Sequence, residues 1–384
     1  MAAERLSAAG HPVALYERMP SPARKLLMAG RGGLNLTHSE PFARFLSRYG
    51  EAAARLAPAL AAFTPNNLRA FAEELGEPTF VGSSGRVFPR SFKASPLLRA
   101  WLARLAGRGV TLHTRHTWRG WDAAGQLRLA TPEGERTLAP AATLLALGGA
   151  SWPRLGADGG WVPLLTERGI AVSPFVPANM GVTIPWSEPF RTRFAGTPLK
   201  RIALACAGQR VRGEAVVTEV GLEGGAVYAV SRAVREALAL GQARLTLDLR
   251  PDLDEATLAA RLAAAPTRLS FANLMRKVAG LSPVAAGLLR EGTGRPEGFQ
   301  ALARRIKALE LPVTGTAGLA RAISSAGGLA WDELGTDYQL HRLPGVFACG
   351  EMLDWEAPTG GYLLQACFST GAAAADGIAR ALAR

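Results

Sequence analysis

Hydrophobic and polar positions divide the chain into three textures. Up to about residue 174, short apolar runs alternate with helix-periodic stretches. Met1 to Ala9 reads as the last turns of a helix, and HPVALYER as a strand closing on Glu17. Phe63 to Leu75 has helical spacing, and a second helix follows Ser95 with Pro96 at its first position. Gly109 to Trp121 and Gln126 to Ala130 read as hairpin strands, and Ala142 to Ala146 as a buried strand. From about Ser173 the segments FVPANMGVTIP, IALACAG and AVVTEVGLEGGAVYAVS are β-rich, and Leu245 to Gln300 turns helical. TGTAGLARAISSAGGLAWDEL then leads into a last short strand, Val346 to Cys349, and a small-residue helix from Tyr362. Strands alternating with helices predict an α/β fold. The textures predict a discontinuous first domain, 1–174 and 317–384, with a β-rich and helical insert at 175–316.

Glycine stands where strands end. Val346–Cys349 runs into Gly350-Glu351 and then, after a loop, into Gly360-Gly361 at the start of the helix. The strand through Ala146 delivers Gly148 and Gly149. A third glycine cluster, Gly30-Arg31-Gly32-Gly33, lies between Lys25 and Asn35. A strand that hands the chain through glycine to a helix N-terminus cradles phosphates and flat cofactors, because backbone can approach the ligand without a Cβ in the way. The basic, glycine-dense loop suits a pyrophosphate and a flavin edge. A βα unit ending an ordinary domain is the plainer reading of the C-terminal segment, and a solvated surface loop that of residues 30–35.

Glu17 closes its strand where an acidic residue accepts hydrogen bonds from a ribose diol in a dinucleotide-binding unit. Such a unit opens with a strand and G-x-G-x-x-G, and Met1 falls inside the helix that should follow them. That first strand is central in a doubly wound sheet. The expectation is that about 20–30 residues, one strand and a glycine turn, are missing from this reading frame.

Composition narrows the picture. The chain has 384 residues, 48% hydrophobic and 20% charged, with no apolar run of the length a membrane span needs. Its three cysteines, Cys206, Cys349 and Cys367, form no disulfide framework and no C-x-x-C, which fits a reducing cytoplasm. His113 and His116 lack the acidic or cysteine partners that would complete a metal site. The net charge of +13 raises the possibility of nucleic acid. Against it, the basic residues are spread along the chain, and only five of the 44 are lysine, a bias that fits a GC-rich genome. Anionic cofactors and substrates explain the charge more cheaply.

With these pieces placed, the chain resembles the bacterial BaiN-like (YhiN-like) NAD(P)/FAD-dependent oxidoreductases, flavoproteins of Rossmann type. The resemblance runs in order through ARKLLMAGRGGLNLTH, GRVFPRSFKASPLLRAWL, LLALGGASWPRLGADGGW, PANMGVTI, TEVGLEGGAVY, AISSAGGL and GVFACGEMLDWEAPTGGYLLQACFSTG. It implies non-covalent FAD. Glu17 would hold the adenosine ribose, and Lys25, Gly30, Arg31, Gly32 and Asn35 would line the pyrophosphate and flavin region. The backbone at Trp118 would meet the adenine. Gly148 and Gly149 would pass the cofactor, and Gly350, Glu351, Gly361, Tyr362 and Gln365 would surround the ribityl chain and isoalloxazine ring. Three positions depart from the family pattern: Gly33 and Leu34 replace an arginine and a cysteine, and Leu363 replaces an asparagine.

The expected activity is hydride transfer through flavin N5 between NADH or NADPH and an organic small molecule, with C=C reduction one option. No nucleophile–base pair is visible in the sequence. Glu351 and Tyr362 are the candidates for an acid–base role, each with a plainer one: Glu351 as an orienting carboxylate, Tyr362 as packing. An RNA-associated flavoprotein and a non-catalytic remnant without FAD are the alternatives.

Overall fold

The computed structural model describes residues 1–292 and 296–383, except the side chain of Arg31. The chain divides into two compact units, Met1–Val176 with Ser324–Arg384, and Pro177–Ile323.

In the first unit the strand Ala14–Glu17 pairs in parallel with Thr111–Thr114, and Val346–Ala348 pairs in parallel with Thr143–Leu145. The hairpin expected of Gly109–Trp121 with Gln126–Ala130 therefore holds for Thr117–Trp121 with Leu127–Thr131, whereas the earlier half of the first stretch pairs elsewhere. The backbone breaks at Arg115, at φ +61°, and Thr111–Thr114 turns to the N-terminal strand. Thr117–Trp121 instead begins an antiparallel meander with Leu127–Thr131 and Gly134–Leu138. A second small sheet has Arg86–Pro89 between Thr37–His38 and Thr79–Val81, both antiparallel to it.

The C-terminal helix, Tyr362–Leu382, organises this unit. It buries Tyr362, Gln365, Ala366, Phe368, Ser369, Thr370, Gly371, Ala372, Ala374, Ala375, Gly377 and Ile378, so nearly every face is covered. A helix covered all round belongs in a core. Its small residues permit the approach of neighbours, and a Cβ at Gly377 would run into the Asp337 carbonyl. Ala366 and Ala374 face a cluster with Phe45, Leu56, Leu60 and Trp355, whereas Phe368 and Ala372 face Leu34, Leu36, Leu68 and Phe71.

The second unit is built on a seven-stranded sheet in the order Leu309–Pro312, Arg244–Asp248, Pro198–Cys206, Gln209–Val217, Gly221–Glu223, Val182–Thr183, Gly315–Thr316. All of its neighbouring strands are antiparallel. Helices such as Ser231–Ala239, Glu255–Ala263 and Gly298–Lys307 pack their apolar faces into one core with it. Two boundaries differ from the expectation. Arg244–Asp248 is a strand where the sequence read as helical, its Leu245 and Leu247 pointing into the core at alternate positions. The return to the first unit comes at Ser324 rather than at 317, because Gly315–Thr316 pairs with Val182–Thr183 and Ile323 N donates to Asn179 O.

Candidate functional site

Three chain segments converge at the C-terminal end of the Val346–Ala348 strand. Cys349 is extended, and Gly350 then takes φ +81°, which turns the chain and leaves Glu351 beside the edge. Glu351 Oε2 accepts from Lys25 Nζ at 2.7 Å, and its Oε1 accepts from Ser325 N at 3.3 Å. Lys25 Nζ also donates to Ser151 Oγ, 2.9 Å away. A Cβ on Gly149 would collide with Ser325 Oγ and stand 3.4 Å from Glu351, so only glycine lets this strand end come so close. Ala150 N donates to Ser325 Oγ at 3.0 Å. Lys25, Gly149, Gly350 and Glu351 are thus brought into one network. Ser151 and Ser325, both fully buried, join it; the sequence reading missed them. Their signal was the small polar residue next to each glycine-rich strand end.

The second part of the site is the N-terminus of the C-terminal helix. Gly361 is its N-cap at φ +94°, and no side chain caps the first turn. A 21-residue helix with free first-turn N–H groups concentrates positive potential at that end. Gly361 has a packing reason as well. A Cβ there would stand 2.5 to 2.7 Å from the backbone of Thr37.

That contact fixes the position of the loop leading to Thr37. Leu34 and Leu36 are fully buried in the core, and so is Thr37, which opens the short strand after them. Asn35 Oδ1 and Thr37 Oγ1 are buried without a hydrogen-bond partner among the described residues, and so is Gln365 Oε1. Buried polar atoms left unpaired are costly, so these three are groups that a bound ligand could satisfy. Gly30 sits 2.7 Å, at its virtual Cβ, from Ala94 Cβ, while Gly32 faces open space. The side chain of Arg31 lies outside the described residues.

Tyr362 is placed differently from a free proton donor. It is 4% exposed, and its hydroxyl donates to Glu40 Oε1 at 2.5 Å. Arg48 grips the same carboxylate through Nε and Nη2 at 2.9 and 2.8 Å, and Arg44 adds a third cationic contact at 3.2 Å. Hydrogen bonds from Arg48 hold the Glu40 carboxyl down at about 2, against the opposing effect of burial and with help from Tyr362. Burial, then the hydrogen bond to Glu40, pushes the Tyr362 phenol well above its ordinary value. The His38 ring stacks on Tyr362 at 5.4 Å, and Tyr49 Oη donates to the Tyr362 carbonyl at 2.8 Å. Gln365 Nε2 donates to Phe63 O and Ser369 Oγ, so this side chain ties helices together.

Glu17 and Trp118 lie outside the Lys25–Glu351 network. Glu17 Oε1 accepts from Met19 N at 2.8 Å in the turn after its strand. The adjoining Arg18 pairs with Asp158 at 2.8 Å, and its buried Nε has no partner among the described residues. Trp118 packs edge-on to Trp121, its buried Nε1 without a partner among the described residues. Gly148, at φ +74°, offers its carbonyl to Trp161 Nε1.

Parallel strands ending in glycine turns, a long uncapped helix and an acidic residue closing the first strand define a Rossmann-type α/β protein. The chain belongs to the HI0933-like protein Rossmann domain family, whose model matches residues 1–377. It is 26% identical to the 3-dehydro-bile acid delta(4,6)-reductase of Clostridium scindens, over 94% of this chain and 90% of the relative. Among solved structures it is similar to a point variant of the FrdA subunit of E. coli quinol fumarate reductase. There the TM-score is 0.52 and the identity 15%, over 99% of this chain and 68% of that one. The family and the enzyme class expected from the sequence both hold: the protein is an oxidoreductase. Among the described residues no helix is long and apolar enough to cross a membrane, and no group of three or more His, Cys, Asp or Glu is arranged to hold a metal ion.

Proposed function

We propose that this protein is an FAD-dependent reductase that takes hydride from NADH or NADPH and delivers it to a carbon–carbon double bond of an apolar small molecule. The observation that carries this is the convergence of an uncapped 21-residue helix, the Lys25–Glu351 pair and the unpartnered Asn35 and Thr37 oxygens around glycine turns. The residues present fit FAD. The family membership and the 26% identity to a named reductase support the same reading.

In this reading Glu17 holds the adenosine ribose, the backbone of Trp118 meets the adenine, and Gly30, Gly32 and Arg31 border the pyrophosphate. Gly148, Gly149 and Gly350 keep Cβ atoms out of the cofactor's path. The flavin supplies two-electron hydride chemistry, and the protein supplies position and field. Glu351 would accept hydrogen bonds from the cofactor's hydroxyls, and Lys25 would share its charge between that carboxylate and the anionic ligand. The free N–H groups of Gly361, Tyr362 and Leu363 favour negative charge at the helix end. Tyr362 acts as a fixed support under that turn, because its proton is committed to Glu40. Gln365 contributes through the helix packing that keeps the turn in place.

The test is spectroscopic. The protein loaded with FAD should show flavin absorption bands that bleach anaerobically with NADH or NADPH and recover when an enone substrate is added. A protein that takes up no FAD, or a bound flavin that neither nicotinamide bleaches, would overturn the corresponding half of the reading.

A further inference from the structure

The basic residues are spread along the chain, but one stretch holds them without any carboxylate. Between Ala256 and Arg290 the sequence has five cations, Arg261, Arg268, Arg276, Lys277 and Arg290, and no aspartate or glutamate. The second half of this stretch folds as a helical hairpin in the second unit. Ser270 caps the helix Phe271–Lys277 and Ser282 caps Pro283–Leu288, each accepting from a first-turn N–H, and the two helices pack together. Met275, Val284, Ala285 and Leu288 turn inward to the core of that unit. Between the helices the chain reverses at Gly280, φ +66°, whose carbonyl accepts from Arg250 Nη1 at 2.8 Å.

With the apolar residues committed inward, the cations are left outward. Arg268, Arg276, Lys277 and Arg290 are all exposed, and none has an ion-pair partner among the described residues. The reversal returns the end of the second helix to the start of the first, where the Arg290 guanidinium lies over the Phe271 ring at 5.7 Å. Phe271 remains 39% exposed, and Arg268 precedes it by three residues. Arg276 and Lys277 stand at the other end of the seven-residue helix, about 9 Å along its axis. Arg276 is steadied by Asn273 Oδ1 at 3.1 Å. The next carboxylate in the chain, Glu291, is already engaged: it accepts from the backbone N and the hydroxyl of Ser187, at 2.8 and 2.7 Å. Like charges held side by side repel one another, and a polyanion relieves that repulsion.

The aromatic ring narrows the choice of polyanion. An anionic membrane surface calls for several apolar side chains beside the cations, and Phe271 is the one large exposed apolar residue among the described residues of the hairpin. An acidic protein accounts for the cations but not for a flat ring paired with a guanidinium, which is a stacking platform for a base. We propose that this hairpin binds single-stranded nucleic acid, with phosphates at the two pairs of cations, Arg268 with Arg290 and Arg276 with Lys277, and a base stacked at Phe271. Such binding goes beyond the reductase reading and does not depend on it.

Fluorescence anisotropy on the full chain tests it, with labelled oligouridylate, oligothymidylate and a duplex of equal length. The single strands should bind, and the logarithm of the binding constant should fall against that of salt with a slope of about −3, as four cations on a single strand give. Arg268→Ala/Arg290→Ala and Arg276→Ala/Lys277→Ala should each weaken binding about tenfold at about 100 mM salt and flatten the slope by about half. Phe271→Ala should weaken it about fivefold and leave the slope unchanged. Arg99→Ala/Arg136→Ala, which removes two exposed cations of the first unit, should change little. No retention of either single strand at low salt, or a preference for the duplex, would overturn the proposal. Equal losses in the Arg99/Arg136 variant would also overturn it, because the net charge of the chain and not this face would then hold the strand. Anionic vesicles or polyglutamate that bind through the same four cations while oligouridylate does not would assign the face to a membrane or an acidic protein instead.

Discussion

Two carboxylates mark two kinds of centre in the first unit. Glu40 is saturated: two arginines and a tyrosine hydroxyl share it, its side chain is 7% exposed, and its carboxyl is held at about 2. Glu351 has one cation, Lys25, whose side chain is 28% exposed, and that lysine is shared with Ser151. Unpartnered oxygens lie on Asn35 and Thr37, in the segment after Lys25. A saturated cluster holds geometry, whereas an unsaturated one can exchange partners with a ligand. In the proposed reading Glu40 is scaffold and Glu351 is site, although the side chains are of one chemical type.

Breaking the scaffold should have the largest effect. Gly361→Ala would add strain at φ +94° and drive a Cβ into the Thr37 backbone, neither of which can yield cheaply. A loss of about 3–4 kcal/mol is expected in urea unfolding, with flavin binding lost in parallel. Glu40→Ala should follow, at about 2–3 kcal/mol, because Arg48 and the buried Tyr362 hydroxyl lose their acceptor together. Its pH signature has a definite sign. The folded carboxyl sits at about 2, below its ordinary 4.5, so the stabilisation is complete above about 4.5 and is lost as pH falls toward 2. Acid unfolding of Glu40→Gln should be flatter than that of the wild type across this window. Parallel curves would show that Glu40 is not the residue that holds the turn.

The site carboxylate behaves differently under the same treatment. Lys25→Met should cost only about 1 kcal/mol of stability, since the pair is partly solvated. It should nonetheless weaken FAD by about tenfold in a fluorescence titration. A large stability loss with unchanged cofactor affinity would make Lys25–Glu351 a second scaffold and erase the contrast.

The sequence made one centre legible and hid the other. Glu351 was visible because a strand running into glycine announces a sheet edge, and the glycines at 149 and 350 proved necessary for the approach of Ser325 and the turn of the chain. Lys25 was reached through the glycine-rich loop beside it. Glu40 carried no such mark. Its partners lie four, eight and 322 positions away, and the last of these is a proximity that only the folded chain creates. Tyr362 was found for its place after Gly361, but its role turned on Glu40 and so could not be read. The same limit applies to the fold. The strand expected over Gly109–Trp121 includes Thr111–Thr114, but the pairing of that part with Ala14–Glu17 depended on the break at Arg115, where nothing local demands a positive φ. The insert's last strand, two residues long, carries too few side chains for any periodicity.

The smallest expected effect is the sharpest test of the contrast. Thr37 lies on the β-strand behind Gly361, fully buried, with an unpartnered hydroxyl. If it belongs to the scaffold, that hydroxyl is a defect. Thr37→Val, which keeps the shape and removes the unpaired group, should then stabilise the cofactor-free protein by about 1 kcal/mol and leave FAD binding alone. If it belongs to the site, the same change should still raise the melting temperature of the cofactor-free form, yet weaken FAD several-fold, so that the loaded protein gains nothing. The two readings agree on the empty protein and separate only when FAD is present. The measurement is therefore a pair of melting curves, with and without FAD, for wild type and Thr37→Val. The site reading requires the gain seen without FAD to vanish when FAD is added.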